Sequence, residues 1–79
     1  MASKLFSIIS QVMNVPIESL NDESSPNSIS SWTSFSGYVL LYELETQFKI
    51  KFSIDEVTDV TNISDIKRHL KNHGVDDID

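Results

Sequence analysis

Ser34 is the residue of this 79-residue chain best placed to do chemistry. It follows the polar run Ser28-Ile29-Ser30-Ser31-Trp32-Thr33 and opens an apolar stretch that extends to Phe48. A hydroxyl at such a switch stands beside the unpaired amides of a helix start, where the backbone dipoles concentrate partial positive charge. Thr33, just before Ser34, has the side chain of an N-cap. Two other reactive residues, His69 and His73, lie one helical turn apart. Two imidazoles without a further ligand make an incomplete zinc site, so their expected role is charge near a helix C-terminus. A hydrolase built on Ser34 would need a neighbouring base and an orienting acid. No motif places either histidine for that role.

Four helical segments must position these residues. Leu5, Phe6, Ile8, Ile9, Val12 and Met13 recur at helical spacing, with Ser3 as the expected cap and an end near Asn14, because Pro16 biases Val15 away from helical geometry. Residues 15–33 hold Pro16, Pro26 and many Ser and Asn, and read as a long loop anchored by Ile17, Leu20, Ile29 and Trp32. The central helix begins after Thr33, with Leu40, Leu41, Leu44 and Phe48 on its buried face. Gly37 costs it roughly 1 kcal/mol relative to Ala, so packing must hold it. Lys49 to Phe52 reads as an extended connector. Ser53 and Glu56 form a capping box for a short helix reaching about Asp59, with Ile54 and Val57 facing inward. Ser64 is the expected cap of the last helix, whose inner side is Ile63, Ile66 and Leu70, with Gly74 just past its end. The acidic tail from Val75 to Asp79 is expected to fray.

Composition narrows the function classes. A chain of this length has room for one core, so residues 1–79 read as a single domain. With no Cys, neither disulfides nor thiolate chemistry is available from the polypeptide itself. Six basic residues against twelve acidic ones give a net charge of -6, which repels nucleic acid and anionic membranes and favours basic partners. No apolar run approaches the length of a spanning helix, and the expectation is a soluble, cytoplasmic, monomeric protein.

In this order of elements, Thr33-Ser34-Phe35 followed by Leu44-Glu45-Thr46-Gln47-Phe48-Lys49-Ile50 resembles the acyl carrier protein family. The resemblance covers nearly the whole chain. In that family an Asp-Ser-Leu motif is followed by Leu-Glu-x-x-Phe-x-Ile, and the Ser bears a 4'-phosphopantetheine arm attached by a phosphopantetheinyl transferase. The resemblance implies an all-α, small four-helix bundle, three main helices and one short one, with a long loop between the first two. It also implies that Ser34 is the attachment residue, that Thr33 caps the helix beside it, and that chemistry is left to partner enzymes such as acyltransferases and ketosynthases. The arm's thiol would give a Cys-free chain its carrier sulfur. Thr33 stands where the family has Asp, removing a negative charge beside the hydroxyl, and Phe35 stands where it has Leu.

The family's central helix is its usual partner-binding element and is typically studded with acids. Here Ser36, Val39, Thr46 and Gln47 stand where acids are common, while Glu43 and Glu45 remain. Phe35, Tyr38, Val39 and Tyr42 fall to a side other than the core, so the expected partner surface is apolar, with Glu43 and Glu45 as its charged members. The competing expectation packs those aromatics under the long loop. The apolar surface suggests a specialised pathway such as polyketide assembly or another fatty-acid-like biosynthesis. Two alternatives stand beside this one. A peptidyl or aminoacyl carrier would show a Gly-rich lead into its Ser, which is missing here, and an unmodified helical protein-interaction domain would need no attachment at all.

Overall fold

The computed structural model describes residues 4–75. The first apolar stripe becomes helix α1 (Lys4–Met13), followed by a single 3-10 turn (Ile17–Ser19), helix α2 (Ser34–Phe48), the short α3 (Ile54–Asp59) and α4 (Ile63–Asn72). Among the described residues there is no strand, and the protein is an all-α four-helix bundle with a long loop between α1 and α2. Leu5, Ile8, Ile9 and Met13 of α1 meet Leu40, Leu41 and Leu44 of α2 and Ile63, Ile66 and Leu70 of α4 in one core. Each such side chain contributes about 1.5–3 kcal/mol by leaving water. Helix α3 buries no residue of its own.

The long loop is tied down at both ends and in its middle. Leu20, Ile29 and Trp32 enter the core, whereas Ile17 is only half-buried against it. Ser31 donates its hydroxyl to the Met13 carbonyl at 2.7 Å, fastening the loop's end to the C-terminus of α1. Farther back, the carbonyls of Ser24 and Asp22 accept the amides of Ile63 and Ser64 at 3.0 and 2.9 Å. The first amides of α4, which a helix leaves unpaired, are therefore satisfied by the loop. Lys67 reaches Asp22 at 2.7 Å across the same seam.

This seam corrects the expected cap of α4. The cap is Asn62, whose side chain accepts the Asp65 amide at 2.8 Å, while Ser64 lies within the first turn with its own amide engaged by the loop. A second correction concerns Ile54. As the first helical residue after the Ser53 cap it points outward, 81% exposed. Val57, one turn on, packs partly against the core as expected. The Ser53–Glu56 capping box is present. The expected cap Ser3 and all of the tail beyond Val75 lie outside the described residues.

Three helices end alike. Asn14, Lys49 and Gly74 follow α1, α2 and α4 in left-handed backbone geometry, with φ of 57°, 58° and 83°. The next residue, Val15, Ile50 or Val75, sends its amide back to the carbonyl of Ser10, Glu45 or Leu70, and its apolar side chain packs partly against the core. This is the Schellman arrangement, in which the chain reverses while an apolar residue closes over the last turn.

Candidate functional site

Thr33 is the N-cap of α2, extended at φ −105° and ψ 178°, and its hydroxyl accepts the Ser36 amide at 3.2 Å. Ser36 answers by accepting the Thr33 amide on its own hydroxyl oxygen at 2.7 Å, then donates that hydroxyl to the Ser31 carbonyl at 2.7 Å. The capping box thus uses Ser where Glu or Gln is usual. Its hydrogen bonds are made by Thr33 and Ser36, so Ser34, the first helical residue, is exposed with its hydroxyl outside the network. The amides of Ser34 and Phe35 lie outside the capping pattern as well, at the positive end of a 15-residue helix.

Beside Ser34 a cleft of about 410 Å³ opens between α2 and α3. Trp32, Gly37 and Tyr38 form one wall, Val57, Thr58 and Val60 the other, and Leu40, Leu41 and Ile66 the floor. The indole of Trp32 lies directly on Gly37, where an added Cβ would stand 3.2 Å from the ring nitrogen. Gly37, a cost in the sequence, is thereby explained as the space that lets the loop's anchor seat against the helix. No histidine and no carboxylate lines the cleft, so Ser34 has no general base there.

Of the residues expected to meet partners, Phe35, Tyr38, Val39 and Tyr42 are all exposed, at 79, 64, 39 and 68%. They do not pack under the loop. At about 100° per residue they share one outward arc of α2, opposite Leu40 and Leu44. The two acids behave differently. Glu43 is half-buried and accepts Gln47 Nε2 at 3.1 Å, and Glu45 is half-buried and accepts the Phe52 amide at 2.7 Å, bracing the connector.

The remaining titratable groups gather on α3 and α4. His69, 6% exposed, places Nε2 at 3.0 Å from Asp59 and Nδ1 at 3.5 Å from Glu56. His73 Nε2 lies 2.9 Å from Glu56. The Ser53 amide, and after it His73, hold the Glu56 carboxyl below the usual range, while Arg68 and then His69 do the same for Asp59. Sequence reasoning missed this cluster, because its two halves sit on different helices. Among the described residues no group of three or more His, Asp or Glu is arranged to hold a metal ion, and no helix is long and apolar enough to cross a membrane.

No protein-family model matches this chain, and neither does any curated protein.

Proposed function

We propose that this chain is an acyl carrier whose Ser34 hydroxyl bears a 4'-phosphopantetheine arm. The observation that carries the reading is the position of Ser34: exposed, first in a capped helix, free of the capping bonds, and at the mouth of a largely apolar cleft. The residues present suit the group. The amides at the start of α2 favour a phosphodiester, and no carboxylate lines the cleft to repel one. A transferase would join Ser34 Oγ to phosphorus as the pyrophosphate bond of a pantetheine-bearing donor breaks, with the hydroxyl proton passing to a base on the transferase. When bound, the arm supplies a thiol that holds an acyl group as a thioester. The lack of a base beside Ser34 suits a hydroxyl that is modified by another protein and performs no hydrolysis itself.

The outward arc of α2 supports a specialised role. With Glu43 and Glu45 engaged within the fold, Phe35, Tyr38, Val39 and Tyr42 offer acyltransferases, ketosynthases or related enzymes an apolar contact beside the arm. That suits polyketide or other fatty-acid-like assembly. The same face would serve an unmodified interaction domain, and intact mass separates the two readings. After incubation with a broad transferase and donor, wild-type protein should gain the mass of one arm and Ser34→Ala none. Thr33→Asp, which keeps an N-cap and restores an acid, should load faster at low salt. An unchanged wild-type mass across several transferases would favour the interaction domain.

A further inference from the structure

Helix α3 is six residues long and buries none of them, yet with Val60 it forms one wall of the cleft beside Ser34. Besides the partly buried Val57 and Val60, its attachment to α4 rests on ionisable side chains. Both ring nitrogens of the buried His69 face carboxylates of α3, Asp59 at 3.0 Å and Glu56 at the longer, ion-pair distance of 3.5 Å. His73 approaches both Glu56 oxygens, at 2.9 and 3.0 Å, and meets the Phe52 ring edge-on. Arg68 shares Asp59 at 2.7 Å and also reaches Asp65 on its own helix at 3.3 Å.

A neutral imidazole has one N–H and one lone pair, and only the imidazolium presents N–H at both nitrogens. For His69 the neutral ring must therefore turn a lone pair toward one of two carboxylates. Glu56 and Asp59 are held below the usual carboxylate range, so they stay charged where histidines exchange their protons.

We propose that His69 and His73 form a proton-dependent latch that clamps α3 onto α4 when protonated and loosens this wall of the cleft when neutral. The latch would set how firmly the cleft closes on whatever occupies it, and it does not depend on Ser34 being modified.

An NMR titration of the full unmodified chain from pH 5 to 8.5 tests the latch. The ring protons of His69 and His73 and the amides of Val57, Thr58 and Val60 should move in one shared transition, with exchange broadening of the α3 amides growing on the alkaline side. In His69→Gln the α3 transition should shrink to the part that His73 contributes through Glu56, while Leu5 and Leu44 amides keep their wild-type positions. Should that variant not fold, Asp59→Asn removes one carboxylate at an exposed position and should reduce the α3 shift changes while moving the His69 ring transition. Histidine rings that titrate while the α3 amides stay still would overturn the latch. So would an α3 transition of full size in either folded variant.

Discussion

Glu45 on α2 accepts the backbone amide of Phe52 at 2.7 Å, seven residues along the chain. The carboxylate spans the turn at Lys49 and fixes where the connector leaves for α3. A half-buried amide bonded to a charged acceptor loses a strong partner when that acceptor is deleted. Glu45→Ala should therefore lower unfolding free energy by about 1–2 kcal/mol, measured by urea denaturation, and Glu45→Gln, which keeps an acceptor oxygen, should recover part of it. If Glu45 served only as a surface charge for partners, both variants would match wild type in stability.

Lys49 adopts φ 58° without being glycine. A left-handed side chain costs roughly 1–2 kcal/mol, partly offset in a glycine variant by the larger entropy of its unfolded chain. Lys49→Gly should thus stabilise the protein by about 0.5–1 kcal/mol, read as a higher urea midpoint at unchanged slope. Asn14, whose residue type tolerates this geometry better, should gain less from the same change.

Acid should weaken the fold in a defined window. Glu56, Asp59 and Asp65 all have folded pKa values below their ordinary 4.5, 3.8 and 3.8, through Ser53, Arg68 and Thr61 respectively as the leading partners. A carboxyl shifted downward contributes stability that is complete above its ordinary value and is lost as pH falls through the lowered one. Urea midpoints should hold steady from pH 6 to 5 with respect to these groups and fall below about pH 4. Asp65→Asn should flatten that fall. A decline of equal steepness in the variant would remove Asp65 from the account.

Tyr38 and Tyr42 are 64 and 68% exposed, so Ala at either position should leave stability within about 0.5 kcal/mol of wild type. If the proposed carrier meets its partners through this face, acyl transfer to those partners should weaken in both variants with little change in salt dependence, because apolar burial is not screened. Silent Tyr variants, together with transfer abolished by neutralising Glu43 and Glu45, would mark an ordinary charge-steered carrier.

What was legible in the sequence was mostly local. Thr33 could be read as a cap because its partner lies three residues away, and the Ser53–Glu56 box for the same reason. The inner face of α2 followed from the spacing of Leu40 and Leu44, and the outward arc from what that left over. Ser36 was harder, since its residue type at that position does not announce a reciprocal cap. Thr61-Asn62-Ile63-Ser64 offers several caps in a row, and the choice of Asn62 depends on where loop carbonyls from Asp22 and Ser24 arrive. Ile54 looked like core by its type and is exposed by its place in the first turn. The pairing of His69 with Asp59 joins two helices whose mutual placement no periodicity encodes. Of the three left-handed turns only Gly74 carried the usual residue, so those at Asn14 and Lys49 had no signal of equal strength.

The hydrogen bonds from Ile63 and Ser64 to Ser24 and Asp22 have a kinetic side. They close a loop that contains all of α2 and α3, and closing long intervals is slow relative to forming a helix turn. Helix α4 acquires its full complement of partners only with that closure, and the expectation is that the seam forms late in folding. Substitutions there should act chiefly on the unfolding rate, so that Asp22→Ala, which leaves the backbone carbonyl in place but removes the side-chain pair to Lys67, shortens the lifetime of the folded chain while barely slowing its formation.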